Sequence, residues 1–536
     1  MREPRSFVRL VLVASLVMAA AGWAMRDATV SAQRAVPRTP ITTPEGALNT
    51  DALRLTADRA DAFVEAARRG VSYLPGQVIV KFRNGTSPAG RQRALTALRS
   101  RPSANELRWM GDVALLRDDS QPDATLLATQ LRTQPEVEYA HPNFIRRMPA
   151  SRAKEARAIT LAPEATPIQT PADPDYSVLQ WNFTLLNMPA AWGINPGGRS
   201  DLIVAVIDTG LTAANFSFNA PIWTGQSFQS KSFAFAPSPD IGTSRIVNPF
   251  DFALFTSGSP VLDFDGHGTH TASTIAEDAN TKGLIGMAYN VKIMPLKVCV
   301  AYWEIMLIRA SVNTPGFIPS SAGGCDDASV IDAMHYAVDN GARVINLSLG
   351  GTDPSTGERD AITYAVSKGA FVSISTGNRF EQGNPTDYPA AYAKDIDGAV
   401  AVAAVGPSSK RAYYSTTGSY VEVAAPGGDD RVGGGEHAGF VWQVTLFPND
   451  QDPNLVSTPR FDRYAEVGYE GTSMAAPHVA GLAALLMSQG TLRDPRAIES
   501  FIKATAKDIG PTGRDDETGD GLIQARTALF GLGISR

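Results

Sequence analysis

The rhythm of hydrophobic and polar positions changes along this chain, and the changes mark out its parts. In "QVIVKF", Val78, Val80 and Phe82 fall on one side of an alternating run, the pattern of a half-buried strand. "RQRALTALRS" puts Leu95 and Leu98 on one side of a short helix. "ELRWMGDVALLRD" reads as two strands turning at Gly111-Asp112, "DATLLATQLRT" as a second helix and "VEYAHPNF" as a last strand. The order β-α-β-β-α-β predicts a small α+β, ferredoxin-like domain over residues 71–148. Before it, residues 33–70 are polar and rich in Ala and Thr, which predicts a disordered or weakly ordered segment. After it, residues 149–173 are rich in Ala and Pro with scattered basic residues, which predicts an exposed linker that a protease can reach.

From 174 to 536 the strands become short runs that are apolar throughout: "LIVAVI", "VKIMPLKV", "RVINLSL", "AFVSIS" and "AVAVAAV". Such runs suit a parallel sheet covered on both faces. Between them lie amphipathic helices, "ASVIDAMHYAVDNG" and "ERDAITYAVSKG", each followed at once by a strand. In the first, Val330, Ile331, Met334 and Val338 keep helical spacing and Gly341 is placed to end the helix. This repetition predicts an α/β domain: a doubly wound, mostly parallel sheet with helices on both faces. Active sites in such sheets lie beyond the C-terminal ends of the strands. Three segments, 212–248, 299–325 and 428–466, show no clear pattern and are expected to be surface insertions.

Composition narrows the setting. Hydrophobic residues make up 43% and charged residues 19%, enough for a large core. A formal net charge of −6 gives no case for nucleic acid as a partner. At the N-terminus Arg2, Arg5 and Arg9 precede the apolar run "LVLVASLVMAAAGWAM", too short for a good membrane span. With "VSA" at 30–32 this predicts a signal peptide over 1–32, cut after Ala32 (Ala24 is a weaker alternative), and a secreted product, extracellular or periplasmic. An uncleaved N-terminal anchor is the other reading; after removal of the signal no membrane attachment is expected. Two cysteines exclude a disulfide scaffold and a multi-cysteine zinc site. In an oxidising compartment Cys299 and Cys325 are expected to pair, two unpaired buried thiols being the alternative.

Three strings carry candidate chemistry. Asp208 follows "LIVAVI" directly, and a carboxylate at the mouth of a buried strand needs a partner. Taken alone, "DTG" fits a turn aspartate as well. His267, in "DFDGHGTHTASTIAED", stands near a helix start between two glycines and suits a general base. A metal cluster of Asp263, Asp265, His267 and His270 is the competing reading, weakened by i, i+3 histidine spacing without the zincin glutamate. Ser473, in "GTSMAAPH", opens a helix running to Gly490. It is either an N-cap, as Thr472 could also be, or a nucleophile beside the free N–H groups of a helix start. The order Asp, His, Ser is one of the chain orders known for a serine triad.

At this point the chain resembles the subtilisin (subtilase) family of serine proteases. "VAVIDTG", "DGHGTHTA" and "GTSMAAPHVAG" resemble that family's three catalytic blocks, and "GLIGMAYNVKIMPLKV", "AVDNGARVINLSLGG", "SISTGN" and "GSYVEVAAPGG" the intervening ones, in order. The unit from "PGQVIVKF" to "EYAHPNFIRR" resembles the family's inhibitory propeptide. The resemblance implies Asp208, His267 and Ser473 as the triad and Asn378 as an oxyanion donor. It implies Ser348, Leu349 and Gly350 as an edge for the substrate backbone, and Ser375, Thr376 and Gly377 as the facing wall of the main specificity pocket. It implies a secreted endopeptidase, monomeric, made as a zymogen whose propeptide blocks the cleft until self-cleavage in the linker. Its partners are protein or peptide substrates and its own propeptide. No metal or other cofactor is required for catalysis; calcium is common in the family as a structural ion, and no ligand pattern for it stands intact here. The segment after the aspartate block, the 299–325 and 428–466 segments and Glu470 depart from the family pattern. The rival readings are a catalytically inactive binding protein on the same scaffold and a metallohydrolase.

Overall fold

The computed structural model describes residues 56–148, 155–159, 171–253, 256–257, 261–432, 439–448 and 459–532. The expected signal peptide lies outside the described residues. Among the described residues no helix is long and apolar enough to cross a membrane.

The segment expected to be weakly ordered at 33–70 instead contains a helix, α1 (Ala57–Arg69), ended by Gly70 in the left-handed conformation. Ala60, Phe63 and Val64 form its buried stripe and join Trp303, Ile305 and Ile308 in one cluster. With Ala57 and Ala66, alanines make up three of its five buried apolar residues, which makes the hydrophobic rhythm faint in the sequence; a distant surface completes it. Arg59 is also buried and donates to the carbonyls of Phe252 and Ala253 (2.7 Å each) and to Ser329 Oγ (2.6 Å), besides pairing with Asp326.

The next domain follows its predicted order. Strands β1 (Tyr73–Phe82), β2 (Arg108–Met110), β3 (Val113–Arg117) and β4 (Val137–Arg146) alternate with α2 (Pro88–Leu95) and α3 (Ala124–Arg132). The pairings are antiparallel in the order β2-β3-β1-β4. Val78, Val80 and Phe82 pack with Leu95, Leu127 and Leu131, as the alternation predicts. The other face is not solvated: Ile79, Met110 and Val113 belong to the core cluster of the larger domain. The sheet is thus a filling between its own helices and the neighbouring domain.

In the larger domain, β5 (Ile203–Asp208), β6 (Phe250–Asp251), β7 (Thr256–Ser257), β8 (Lys292–Lys297), β9 (Val344–Leu347), β10 (Phe371–Ser375), β11 (Ala399–Val405) and β12 (Val423–Pro426) form one sheet. Its order is β7-β6-β8-β5-β9-β10-β11-β12, parallel except at the β6–β7 pair. Helices α4 (His267–Ala276), α5 (Asp327–Asp339), α6 (Thr356–Ser367) and α7 (Thr472–Ser488) pack on it. Every residue of α7 is buried, as expected of a helix apolar all round at the centre of a core. The chain leaves β5 for β6 and β8 on one side and returns to β9 on the other. The crevice at β5 and β9 is therefore a topological switch point, where such folds carry their sites.

The three patternless segments are not loose surface insertions. Residues 212–248 contain a hairpin, Phe216–Trp223 with Phe228–Phe235, whose Phe235 stacks on Phe461 (4.8 Å) and meets Phe264 edge-on (4.9 Å). Residues 299–325 contain the helix Tyr302–Ser311 between two short strands joined by a Cys299–Cys325 disulfide. Residues 428–466 supply Val441–Leu446, buried throughout and paired antiparallel with Tyr464–Tyr469. Polar residues such as Gln443, Thr445 and Glu466 made this pair read as surface, yet all three are buried. Their neighbours in α4 supply partners: Ser273 Oγ donates to the Val444 carbonyl (2.9 Å) and Thr445 Oγ1 donates to the Gly266 carbonyl (2.5 Å). Within the expected linker, Glu155–Arg157 adds to this pair as a third strand.

The disulfide closes a 26-residue separation around the helix that receives α1. Replacing both cysteines by alanine is expected to lower stability by about 3 kcal/mol on the chain-entropy model, seen as a lower denaturation midpoint of the full chain. An unchanged midpoint would deny the bond a stabilising role.

Candidate active site

Asp208 is the last residue of β5 and His267 the first of α4. Two glycines bring them together. Gly266 turns the chain into the helix at φ +96°, and Gly268 lies so near Gly210 that a Cβ would overlap its backbone. Gly268 N–H donates to Thr209 Oγ1 (2.8 Å), fixing the helix start to the strand end. His267 Nδ1 then lies 2.7 Å from Asp208 Oδ1, with both side chains almost wholly buried. Thr209 N–H donates to Asp208 Oδ1 (2.7 Å) and Thr271 Oγ1 reaches Oδ2 (3.4 Å). Burial pulls the His267 pKa down. The charge of Asp208 and its hydrogen bond, with Asp265 and Asp263 behind, outweigh that pull and hold it above the ordinary 6.5. His267 Nε2 has no hydrogen-bond partner among the described residues.

Ser473 is the second residue of α7, whose N-cap is Gly471 rather than a hydroxyl residue. Its Oγ donates to the Ser348 carbonyl (3.3 Å), and Ser348 Oγ donates to the Ser473 carbonyl (2.8 Å). The hydroxyl is therefore turned toward Ser348 and makes no hydrogen bond to His267. Asn378 is joined to the same helix start: its Oδ1 accepts from Thr472 N–H and Thr472 Oγ1, 2.9 Å each. Gly377 N–H in turn donates to Thr472 Oγ1 (3.1 Å). With the carbonyl end of the Asn378 amide so held, its NH2 end is the one left to donate. Beside Asn378 lies a pocket of about 170 Å3, also lined by Gln382, Tyr413, Arg431 and Glu470.

The expected substrate edge is paired. Gly350 N–H donates to the Arg147 carbonyl and Arg147 N–H to the Gly350 carbonyl, 2.9 Å each. Leu349 is buried beneath it. On the facing wall Ser375 ends β10, Thr376 Oγ1 donates to the Val402 carbonyl (3.2 Å), and Gly377 has φ +91°. Between the two walls sits a residue that sequence reasoning missed. The buried Asp387 carboxylate lies so close to Gly350 and Gly377 that a Cβ on either would overlap it. Arg379 pairs with it. Burial pushes Asp387 up to about 7 although Arg379 and Arg146 pull it down. Both charges lie in the irregular stretch "NRFEQGNPTD", where no hydrophobic rhythm signals burial.

The residues of the metal alternative face different ways. Asp263 accepts backbone N–H groups from Asp265, Gly266 and Thr269, while His270 Nε2 faces the Val467 carbonyl (3.1 Å) and its ring stacks on Tyr469. Burial pushes the His270 pKa down to about 3. Among the described residues no three His, Cys, Asp or Glu side chains are grouped to hold a metal ion.

The unpartnered His267 Nε2 can accept a proton and the Asn378 NH2 can donate a hydrogen bond, and the helices α4 and α7 that carry His267 and Ser473 pack together. A fluorophosphonate is expected to label Ser473 covalently in the processed chain, and Asp208→Asn to slow labelling by about 10⁴-fold, the cost of the wrong imidazole tautomer. Unchanged labelling in Asp208→Asn would remove the carboxylate from the catalytic line.

Known proteins share this chain's sequence pattern and fold. The family model described as "Subtilase family" matches residues 199–521, and that described as "Fervidolysin N-terminal prodomain" matches residues 59–143, taking in most of α1. The chain is 29% identical over 444 residues to a thermophilic serine proteinase of Bacillus sp. (strain AK1), covering 82% of this chain and 84% of that protein. It is 31% identical over 346 residues to thermitase of Thermoactinomyces vulgaris, covering 64% and 94%. The fold is shared with the crystal structure of fervidolysin from Fervidobacterium pennivorans, with TM-score 0.59 and 22% identity, over 85% of this chain and 61% of that one.

Proposed function

The chain belongs to the subtilase family of serine proteases, and we propose that Asp208, His267, Ser473 and Asn378 carry its peptide hydrolysis. The observation behind this reading is the buried Asp208–His267 contact of 2.7 Å, with Nε2 left without a partner on a helix that packs against α7, whose second residue is Ser473. Ser473 Oγ leaves the Ser348 carbonyl, gives its proton to His267 Nε2 and attacks the substrate carbonyl. Asp208 holds the proton on Nδ1 and stabilises the imidazolium. Asn378 Nδ2 and the N–H groups of the first turn of α7 meet the oxyanion; such groups have no carbonyl partner within the helix. The imidazolium protonates the leaving amine, and water, deprotonated by the same ring, then releases the acyl group from Ser473. In this reading the chain acts as a monomer and its catalysis requires no cofactor. Each of these groups is present, so no observation favours an inactive binding protein.

The prodomain acts as an intramolecular inhibitor in this reading. Arg147 occupies the Gly350 edge that an extended substrate would use, two residues from Ser348. Maturation is expected by self-cleavage in the 149–173 linker. Export rests on the arginine-flanked apolar run and the "VSA" site at 30–32.

Two outcomes test the reading. Ser473→Ala, made in a protease-null host, is expected to leave a folded chain uncut in the linker, read by intact mass; a processed variant would end the claim of self-cleavage. The pH profile of kcat/KM should carry an acid limb above 6.5. The reason is that the His267 pKa is raised and activity is lost as pH falls through it. A profile flat from pH 5 to 9 would remove His267 as the base.

A further inference from the structure

Arg146, the last residue of β4, has no exposed side-chain surface. Its guanidinium meets two carboxylates along one edge. Nε lies 2.6 Å from Asp327 Oδ1 and 3.1 Å from Glu358 Oε1, and Nη2 lies 2.8 Å from Glu358 Oε2 and 3.1 Å from Asp327 Oδ2. Nη1 donates to the Asp353 carbonyl (2.7 Å). Asp327 and Glu358 are themselves wholly buried, at the first turns of α5 and α6. Both acids, and Asp353, belong to the catalytic domain and remain when the prodomain departs. Burial raises the pKa of both acids and the Arg146 charge opposes it; the geometry of two carboxylates on one edge and a carbonyl beside them makes the pocket complementary to a cation.

The backbone around Arg146 says which cation. Arg146 stands opposite Cys325, and Arg147 is hydrogen-bonded to Gly350, so this extended segment is threaded between two edges of the catalytic domain. An extended substrate can enter the same way, by adding a strand. The pairing at Gly350 is antiparallel, and Ser348, two residues earlier, touches Ser473. A substrate in this register puts its attacked carbonyl three residues after the residue in the Arg146 position. We propose that Asp327 and Glu358 form a subsite selective for arginine at the fourth residue before the scissile bond, and that Arg146 fills it in the zymogen as a substrate arginine does after maturation. The planar fork, engaged on one edge by two carboxylates and on Nη1 by a carbonyl, favours arginine over lysine, which offers a single point charge.

The inference rests on Ser473 being the nucleophile, and the experiment separates the two. The matured wild-type enzyme is profiled on a mixed peptide library by mass spectrometry, then on quenched peptides that differ only in Arg, Lys or Ala at that fourth position. Arginine should be enriched there, and kcat/KM should fall by roughly 30-fold or more for Ala, with Lys between. Glu358→Gln, read beside Asp327→Asn, should shrink the Arg-to-Ala ratio; if neither variant matures, the wild-type ratio decides alone. Peptides cut with no arginine preference at that position, or a ratio unmoved in a matured variant, overturn the subsite and leave the protease reading standing. A chain that cuts nothing and takes no fluorophosphonate overturns both.

Discussion

A carboxylate buried at the end of a parallel strand must find a partner, and the Asp208–His267 contact is how this protein meets that constraint. Much of the larger domain serves it. β5 carries the acid to the switch point of the sheet, the Gly266–Gly268 turn lets α4 begin against the strand end, and Thr209 ties the two together. The strands Val441–Leu446 and Tyr464–Tyr469 cover α4 from outside, taking its Ser273 hydroxyl and the Gly266 carbonyl into their own hydrogen bonds. Removing water in this way strengthens the contact; burial alone would pull the imidazole pKa down, and the Asp208 charge and hydrogen bond, with Asp265 and Asp263 behind, outweigh it, so the pKa stands above its ordinary value.

The same principle governs the union of prodomain and enzyme. Arg59 and Arg146 are buried against acceptors of the catalytic domain. Lys81 reaches Asp360, and Gly357 N–H donates to the neutral His141 Nε2 (3.2 Å). Burying charge adds little net stability, but a misplaced charge is severely penalised, so such pairs set the register of docking more than its strength. The register they set lays Arg147 along Gly350, two residues from Ser348, on whose carbonyl the Ser473 hydroxyl rests. With the prodomain docked, the Asp208–His267 contact is thus assembled while the Ser473 hydroxyl is turned to Ser348.

How far the sequence reaches depends on how local the information is. The order of the prodomain strands, the parallel sheet and the placing of Asp208, His267 and Ser473 at element ends were all legible, because each follows from periodicity and motif within a few residues. The Cys299–Cys325 pairing was also legible, from count and compartment alone. Helix α1 was missed because alanines carry its stripe, and the pair ending at Tyr469 was missed because its buried polar groups look like surface.

What only the tertiary structure decided is which charged groups lie inside and against what. Asp327 and Glu358 stand at helix starts, Arg146 at the end of a strand and Asp387 in an irregular stretch. Nothing near them in the chain tells a solvated charge from a buried one. That distinction is made by partners 181 and 212 residues away, as for Arg146, or by two glycines of opposing walls, as for Asp387. Local pattern determines conformation because backbone and side-chain preferences act over a few residues. Desolvation and charge pairing act through space, and so they become definite only when the chain has closed on itself.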